Sequence, residues 1–333
     1  MEKVLLGLSG GKDSQLALKI LKEANFEVIA LTMIFNNYSE MDRKNLERAK
    51  KICKKEEIKH EIIDVSNVFE EKIKKYFIRE YLSGKTPSPC IYCNEKIKFH
   101  HLNEYSKKLG IKFIATGHFA DIYFNLKEKR YVIRKAFYEK KDQSYFLYRL
   151  PQEILSKTLF PLGKTVKSKE AGYSESQEIC FVTSDYREFL KKRGIPEKEG
   201  EIIYEGKTVG KHNGIWNYTI GQRRGLGVSL GKPLYVVKID GQKNSVILGD
   251  KADLLKSEFE VSCCNWILWE NPPEEFNCFI KIRSQFKEKR GKVRVQNKIC
   301  VVKFLDPQLS ITPGQSAVFY TPEGDLIGGG IIK

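Results

Sequence analysis

The hexapeptide Ser9-Gly10-Gly11-Lys12-Asp13-Ser14 constrains this chain more than any other stretch. It follows the apolar run Val4-Leu5-Leu6-Gly7-Leu8 and precedes Gln15-Leu16-Ala17-Leu18-Lys19-Ile20-Leu21, so it reads as a buried strand, a tight glycine turn and a helix. Two adjacent glycines let the backbone turn sharply and aim successive N–H groups at an anion, and the helix N-terminus behind them adds a partial positive charge. Such a turn suits a phosphate. The spacing is neither G-x-x-x-x-G-K-[ST], a P-loop, nor G-x-G-x-x-G, a dinucleotide site. A plain glycine-rich turn capped by Ser9 or Asp13 is the alternative.

The surrounding pattern supports a nucleotide domain. Leu16, Ile20, Leu21 and Ala24 recur at helical spacing, and Val28 to Ile34 is a continuous apolar run fit for a buried parallel strand. Leu46, Ala49, Ile52 and Cys53 mark a second helix, Ile62-Ile63-Asp64-Val65 a third strand, and Val68 to Leu82 a long helix. Phe113-Ile114-Ala115 reads as a further strand, after a helix that begins near Asn94. This alternation predicts a doubly wound parallel α/β sheet whose ligands lie beyond the carboxyl ends of the strands. Both Gly10-Gly11 and Thr116-Gly117-His118 fall at such ends and are expected to face one nucleotide.

Farther on, Thr86-Pro87-Ser88-Pro89 predicts an extended loop that carries Cys90 and Cys93. Leu147 to Leu162 predicts a helical stretch ending at Phe160-Pro161-Leu162-Gly163, and Lys164 to Glu178, poor in apolar residues, a solvated segment before Cys180. From about residue 200 glycines punctuate short runs. Tyr235 to Ile239 and Ser245 to Leu248 read as strands around the turn Asp240-Gly241 of a small, mostly β central domain. Phe279 to Arg283, Gly291 to Val295, Ile299 to Phe304, Ser316 to Tyr320 and Leu326 to Ile332 predict a C-terminal β-barrel.

Composition narrows the partners. Lys and Arg number 58 against 42 Asp and Glu, a formal net charge of +16 that favours a polyanion such as nucleic acid. No run is long enough to span a bilayer, and the opening Met1-Glu2-Lys3 is not that of a signal peptide, so no membrane partner and a cytoplasmic address are expected. Eight cysteines without a secretion signal are not a disulfide framework. Cys53, Cys278 and Cys300 read as buried small hydrophobes, and His212 as an ordinary surface histidine. The pair Cys90-x-x-Cys93 is compatible with a zinc half-site, a redox pair, an iron–sulfur ligand pair or a reactive thiol beside its partner. Structural zinc lacks a second suitable pair, because Cys263 and Cys264 are adjacent in a β-patterned region. With Cys180, the pair suits either a sulfur relay or a 4Fe-4S cluster with one iron left open; Lys96, Lys98 and His100 would favour a thiolate.

Nine blocks in order carry a resemblance. Ser9 to Ser14, Thr86 to Asn94, Ile97-Lys98-Phe99, Ala115 to His118, Lys141 to Phe146, Phe160 to Gly163, Ile179-Cys180-Phe181, Tyr218 to Gly227 and Pro313-Gly314-Gln315 together resemble the tRNA-specific 2-thiouridylases, the MnmA family of PP-loop ATP pyrophosphatases. The resemblance implies an adenine nucleotide alpha-hydrolase-like catalytic domain at residues 1–184, a central tRNA-contacting domain at 185–250 and a C-terminal β-barrel at 251–333. It also implies the reaction. ATP with Mg²⁺ adenylates the C2 oxygen of the wobble uridine in tRNAs for lysine, glutamate and glutamine, sulfur attacks C2, and AMP leaves. The sulfur donor would be a cysteine desulfurase, a sulfur carrier protein or free sulfide.

The same resemblance distributes the roles. Gly7, Leu8, Ser9, Gly10, Gly11, Lys12, Asp13, Ser14, Met33 and Gly117 would line the ATP site. Cys93 would be the nucleophile and Cys180 the bearer of a persulfide. Ser88, Pro89 and Cys90 would lie near the flipped base, and His118, Lys141, Asp142, Gln143, Arg223, Arg224, Arg283, Ser284 and Gln315 near the tRNA, with Lys287, Lys289, Arg290, Lys292 and Arg294 as a basic strip in the barrel. Many family members carry Asp where this chain has Cys90. The C-x-x-C with a distant cysteine resembles instead the cluster-dependent tRNA thiolases, in which Cys90, Cys93 and Cys180 hold 4Fe-4S. Glu178 stands where a glycine is usual, and the segment between Gly163 and Cys180 is short for the family. The competing readings are an ATP-dependent amidotransferase, a lysidine-type tRNA ligase, both of which leave the thiols without work, and a non-catalytic RNA-binding protein, which leaves the glycine loop without work.

Overall fold

The computed structural model describes residues 1–166, 179–182 and 185–333; most of the expected solvated segment, with Glu178, lies outside the described residues. The chain begins with β1 (Lys3–Gly7), α1 (Lys12–Glu23), β2 (Glu27–Ile34), α2 (Glu40–Glu56) and β3 (His60–Asp64). β1 and β2 are apolar on nearly every residue because both of their faces are covered, and α1 turns Ser14, Ala17, Leu18 and Leu21 into the core at helical spacing. A continuous helical path follows: α3 (Ser66–Phe69), a wide π-helical turn at Glu70–Lys74 and α4 (Lys75–Leu82). A second runs through α5 (Pro89–Cys93), another π-helical turn at Asn94–Lys98 and α6 (Phe99–Lys108) before β4 (Phe113–Thr116).

The predicted loop through Cys90 and Cys93 is therefore a helix start. Pro89 occupies the first turn, where its missing N–H has no partner to lose, so it opens a helix; the preceding helix has already ended at Leu82, ahead of Gly84 with φ +74°. The hairpin β5 (Ala120–Asn125) and β6 (Arg130–Lys135) follows, and then α7 (Gln152–Leu155) and β7 (Thr158–Leu159). These replace the helix expected from Leu147 to Leu162. Pro151 interrupts it, and Leu147, Tyr148, Leu150, Ile154 and Leu155 are all buried, with barrel residues in the same core, rather than being divided between a core face and a wet face.

The sheet order is β3-β2-β1-β4-β7, parallel throughout, and the reversal of strand order falls between β1 and β4. Gly7 and Thr116 are register partners there, so the glycine loop and the Thr116-Gly117-His118 turn leave the sheet side by side. After α8 (Tyr186–Lys192), β8 (Gly200–Tyr204), β9 (Lys207–His212), β10 (Tyr235–Asp240) and β11 (Ser245–Gly249) form a four-stranded sheet in the order β10-β11-β8-β9. His212 is buried, not a surface residue: its Nδ1 accepts the Gly214 N–H at 3.0 Å, and its Nε2 lies 3.2 Å from the Asn244 carbonyl.

The last six strands, β12 (Leu255–Trp266), β13 (Glu275–Lys281), β14 (Lys289–Gln296), β15 (Ile299–Leu309), β16 (Ser316–Tyr320) and β17 (Leu326–Ile332), close a barrel in the order β12-β15-β14-β13-β16-β17. β12, the strand absent from the sequence expectation, is polar along its outer edge and therefore lacks an apolar run. The barrel docks on the α/β domain through one core in which Val318, Tyr320 and Leu326 pack with Tyr145, Leu147 and Tyr148. Full burial of each such side chain is worth about 1.5–3 kcal/mol, and the three tyrosine hydroxyls find Ser316 or Ser144, so none is left unpaired.

Candidate active site

The carboxyl ends of β1, β2 and β4 open onto a cleft of about 300 Å³. Gly7, Leu8, Ser9, Asp13, Ser14, Met33 and Gly117 of the expected ATP residues line it, while Gly10, Gly11 and Lys12 form the turn outside its walls. The turn is held by its own hydrogen bonds. Ser14 Oγ donates to the Gly11 carbonyl at 2.9 Å and accepts the Ser9 N–H at 3.3 Å, and Ser9 Oγ accepts the Gly11 N–H at 3.3 Å. Gly10 has a left-handed φ of +75°, and a side chain there would meet the Asn45 carbonyl. A Cβ on Gly117 would sit 2.9 Å from the Ser14 nitrogen, so glycine is what lets the β4 turn approach the start of α1. That start has no side-chain cap, which leaves its N–H groups for a ligand.

Asp13 is engaged by Lys141, whose Nζ donates to its carboxylate at 3.1 Å and lies over the Phe119 ring. His118 lines the cleft, 2.7 Å from Thr116 Oγ1 and stacked on Phe99. Burial, helped by the charge of Lys98, holds its pKa down to about 3, so the imidazole is neutral. Gln143 also lines the cleft and accepts the Phe119 N–H through Oε1 at 3.0 Å.

Cys90 and Cys93 stand on α5, and Cys180 on the stretch 179–182. Cys93 is buried, Cys90 half-buried and Cys180 exposed. Phe181 fixes the position of Cys180 by edge-on contacts to Phe69 and Phe77, and it joins the cluster that contains Cys93 and Ile97. Burial pushes the Cys93 thiol up to about 12, and the charges of Cys180 and Cys90 push the same way against Lys98. Burial shifts Cys90 upward too, and at Cys180, exposed as a residue but with its sulfur crowded, desolvation and the charge of Cys90 act the same way; Lys98 opposes both. Lys98 is the residue that joins both halves. The π-helical turn Asn94–Lys98 delivers it into the cleft wall, and its charge reaches all three thiols and His118. The sequence reading valued it only as a helper of the thiols. Thr32, Asp42 and Asn45, also in the wall, had no local signal at all.

The remaining expected residues are spread out. Ser88 and Pro89 adjoin Cys90 at the helix start. The Asp142 carboxylate faces inward, accepting the Ala136 and Ser144 N–H groups and the Ser144 hydroxyl, and burial raises its pKa. Gln315 Nε2 donates to the carbonyls of Thr86 and Pro87 at 2.9 and 3.3 Å, tying the barrel to the loop before the C-x-x-C helix. Arg223 and Arg224 are exposed on a loop pinned by Gly221 N–H to the Val236 carbonyl, and Arg283 is exposed beside the half-buried Ser284. In the barrel strip, Lys292 and Arg294 pair with Glu275 at 2.8 and 3.1 Å; Lys287, Lys289 and Arg290 are exposed.

A parallel sheet with a glycine loop and an open helix start at its switch point, and a cleft lysine whose charge reaches three thiols, define an ATP-using enzyme of the PP-loop class. Residues 2–184 match the family model described as the tRNA methyl transferase HUP domain, residues 187–250 the tRNA methyl transferase PRC-barrel domain, and residues 256–332 the aminomethyltransferase beta-barrel domain. The chain is 43% identical to the tRNA-specific 2-thiouridylase MnmA 1 of Caldanaerobacter subterraneus subsp. tengcongensis, covering 99% of this chain and 98% of the relative. It is 41% identical to the tRNA-specific 2-thiouridylase MnmA of Gloeothece citriformis, over 100% of both chains, and 39% identical to that of Acetivibrio thermocellus, over 100% of this chain and 99% of the relative. The chain belongs to the tRNA-specific 2-thiouridylase family.

Proposed function

We propose that this protein is an ATP-dependent tRNA-uridine 2-sulfurtransferase acting on the wobble uridine, with the α/β domain at 1–184 catalytic and the central domain and barrel holding tRNA. The observation that carries the reading is Lys98, which lines the cleft together with the phosphate-type loop and whose charge reaches Cys90, Cys93 and Cys180. The uridine C2 oxygen attacks the α-phosphorus of ATP, and pyrophosphate leaves toward the N–H groups of the Ser9–Ser14 loop and α1. Mg²⁺ would come with the triphosphate and need few protein ligands; Asp13 on the loop, whose carboxylate accepts from Lys141, would share it. Cys93 as thiolate attacks the inner sulfur of a persulfide on Cys180. The Cys93–Cys180 bond forms, hydrosulfide leaves and attacks C2, and AMP departs; an external thiol then reduces the disulfide. Lys98, near every sulfur involved, stabilises each thiolate as it forms.

The relay needs only Cys93 and Cys180, and the charge of Lys98 opposes the upward shift of both; a 4Fe-4S cluster held by Cys90, Cys93 and Cys180 is the competing reading. Exposed Arg223, Arg224 and Arg283 supply phosphate contacts, whereas Asp142 and Gln315 act by holding the loops in place. The donor is a cysteine desulfurase, a carrier protein or sulfide.

The test is anaerobic incubation with unmodified tRNA, ATP-Mg²⁺ and either sulfide or a persulfide donor, followed by nucleoside mass spectrometry, with and without iron–sulfur reconstitution. We expect 2-thiouridine from cluster-free protein. Product only after reconstitution would replace the relay by a cluster, and no product in any arm would return the chain to a lysidine-type or binding role.

A further inference from the structure

We propose that Cys264 and Cys300, with Cys263 beside them, form an oxidisable dithiol in the barrel wall that closes to a disulfide under a hydroperoxide. The two sulfurs lie 3.4 Å apart, in contact before any bond forms. A deliberate irregularity brings them together. Cys263 has φ +52°, and the pairing of β12 with β17 shifts register between Ser262 and Asn265, so Cys264 leaves the regular alternation of the strand. The absence of a side chain on Gly330 makes room, since a Cβ there would lie 2.8 Å from Cys264 Sγ.

The three thiols form a graded path from solvent: Cys263 is exposed, Cys264 half-buried and Cys300 buried. A hydrogen bond from Cys264 holds the Cys300 thiol below its ordinary value, although burial opposes it. The reaction balances simply. The Cys300 thiolate takes one oxygen from the hydroperoxide, whose O–O bond breaks and whose other half leaves as water or alcohol. Cys264 then gives up its proton and attacks that sulfenic sulfur, the S–S bond forms and the second oxygen leaves as water. The sulfur pair loses two electrons.

The bulge also touches the catalytic helix. The Cys263 carbonyl accepts from Arg149 at 3.4 Å, and Arg149 pairs with Glu95 and lies over Tyr92, one residue on either side of Cys93-Asn94; Asn265 Nδ2 donates to the Tyr148 carbonyl at 2.7 Å. Closure needs the sulfurs to approach to about 2 Å, which draws the bulge inward against this clamp.

The experiment uses the full-length protein and a Cys90→Ser/Cys93→Ser/Cys180→Ser variant, each treated with hydrogen peroxide, blocked with iodoacetamide in denaturant, digested and mapped by mass spectrometry. We expect a peptide pair linked through Cys264 and Cys300 in both, removed by dithiothreitol, and faster amide exchange over residues 89–98 in the oxidised variant. Cys300 recovered fully alkylated while Cys263 or Cys264 is over-oxidised would overturn the dithiol. Linkage without a change in exchange would overturn the coupling to the helix. Wild-type mapping needs no substitution, and Cys300→Ala, expected to unfold as cooperatively as wild type, should lose the linkage alone.

Discussion

At the carboxyl end of β1 the Ser9–Ser14 loop is tied by hydrogen bonds among its own serines and backbone, with its helix start open for an anion. Within reach of Lys98 in the cleft wall, Cys90, Cys93 and Cys180 are pushed toward the protonated thiol, a form that neither attacks nor binds sulfur well. On the proposed function, the activating half is assembled before substrate arrives, whereas the sulfur half is held quiet. The difference suits the chemistry: a thiolate ready at all times would be oxidised or alkylated, and an adenylated uridine formed without ready sulfur would be hydrolysed. Lys98 stands where the two halves meet, so a phosphate arriving in the cleft and a thiolate forming beyond it draw on one cation.

The strongest test of that contrast is Cys93→Ser, which should bring 2-thiouridine below detection while tRNA-dependent release of pyrophosphate continues. A pyrophosphate assay and nucleoside mass spectrometry on the same sample read both; joint loss of the two signals would break the distinction between the halves. Lys98→Met should come next, slowing thiolation about 100-fold, the scale seen when one stabiliser of developing charge is removed. Lys98→Arg should recover part of it, and thiol alkylation rates should fall in Lys98→Met even without nucleotide. An effect confined to the ATP KM would assign Lys98 to the loop alone. The smallest effect concerns His118. Folding lowers its pKa from 6.5 to about 3, so between those values the folded chain binds fewer protons than the unfolded chain. Its contribution is complete above about pH 6.5 and is lost as pH falls toward 3. In urea melts, His118→Gln should flatten the acid-side slope by about one proton relative to wild type, leaving the melt at pH 8 nearly unchanged.

How much of this was legible beforehand varied with the range of the interactions. The glycine loop, the β-α alternation and most barrel strands rest on periods of 2 or 3.6 residues and on turn chemistry, which neighbouring residues carry. The Pro87-Ser88-Pro89 stretch was legible as a break but not as a start, because a proline that bars a helix and one that occupies a helix's first turn look alike locally. His212 read as a surface residue because nothing in β9 announces the Asn244 carbonyl that meets it from another strand. The stretch after Leu147 misled for a related reason: buried on all sides, it has apolar residues without a face.

By itself, then, the sequence determined a phosphate-seeking turn at the head of a parallel sheet, a basic chain with a β-rich second half, and three cysteines in the order of a known tRNA thiolation family. Tertiary structure alone decided that Lys98 lines the cleft while its charge reaches the thiols, that Gln315 and Asp142 hold loops, and that Cys264 meets Cys300 in the barrel wall. The physical reason is separation along the chain. Backbone conformation is biased by adjacent residues, but ionisation, burial and sulfur–sulfur contact depend on groups far apart in sequence, brought together only when the core closes.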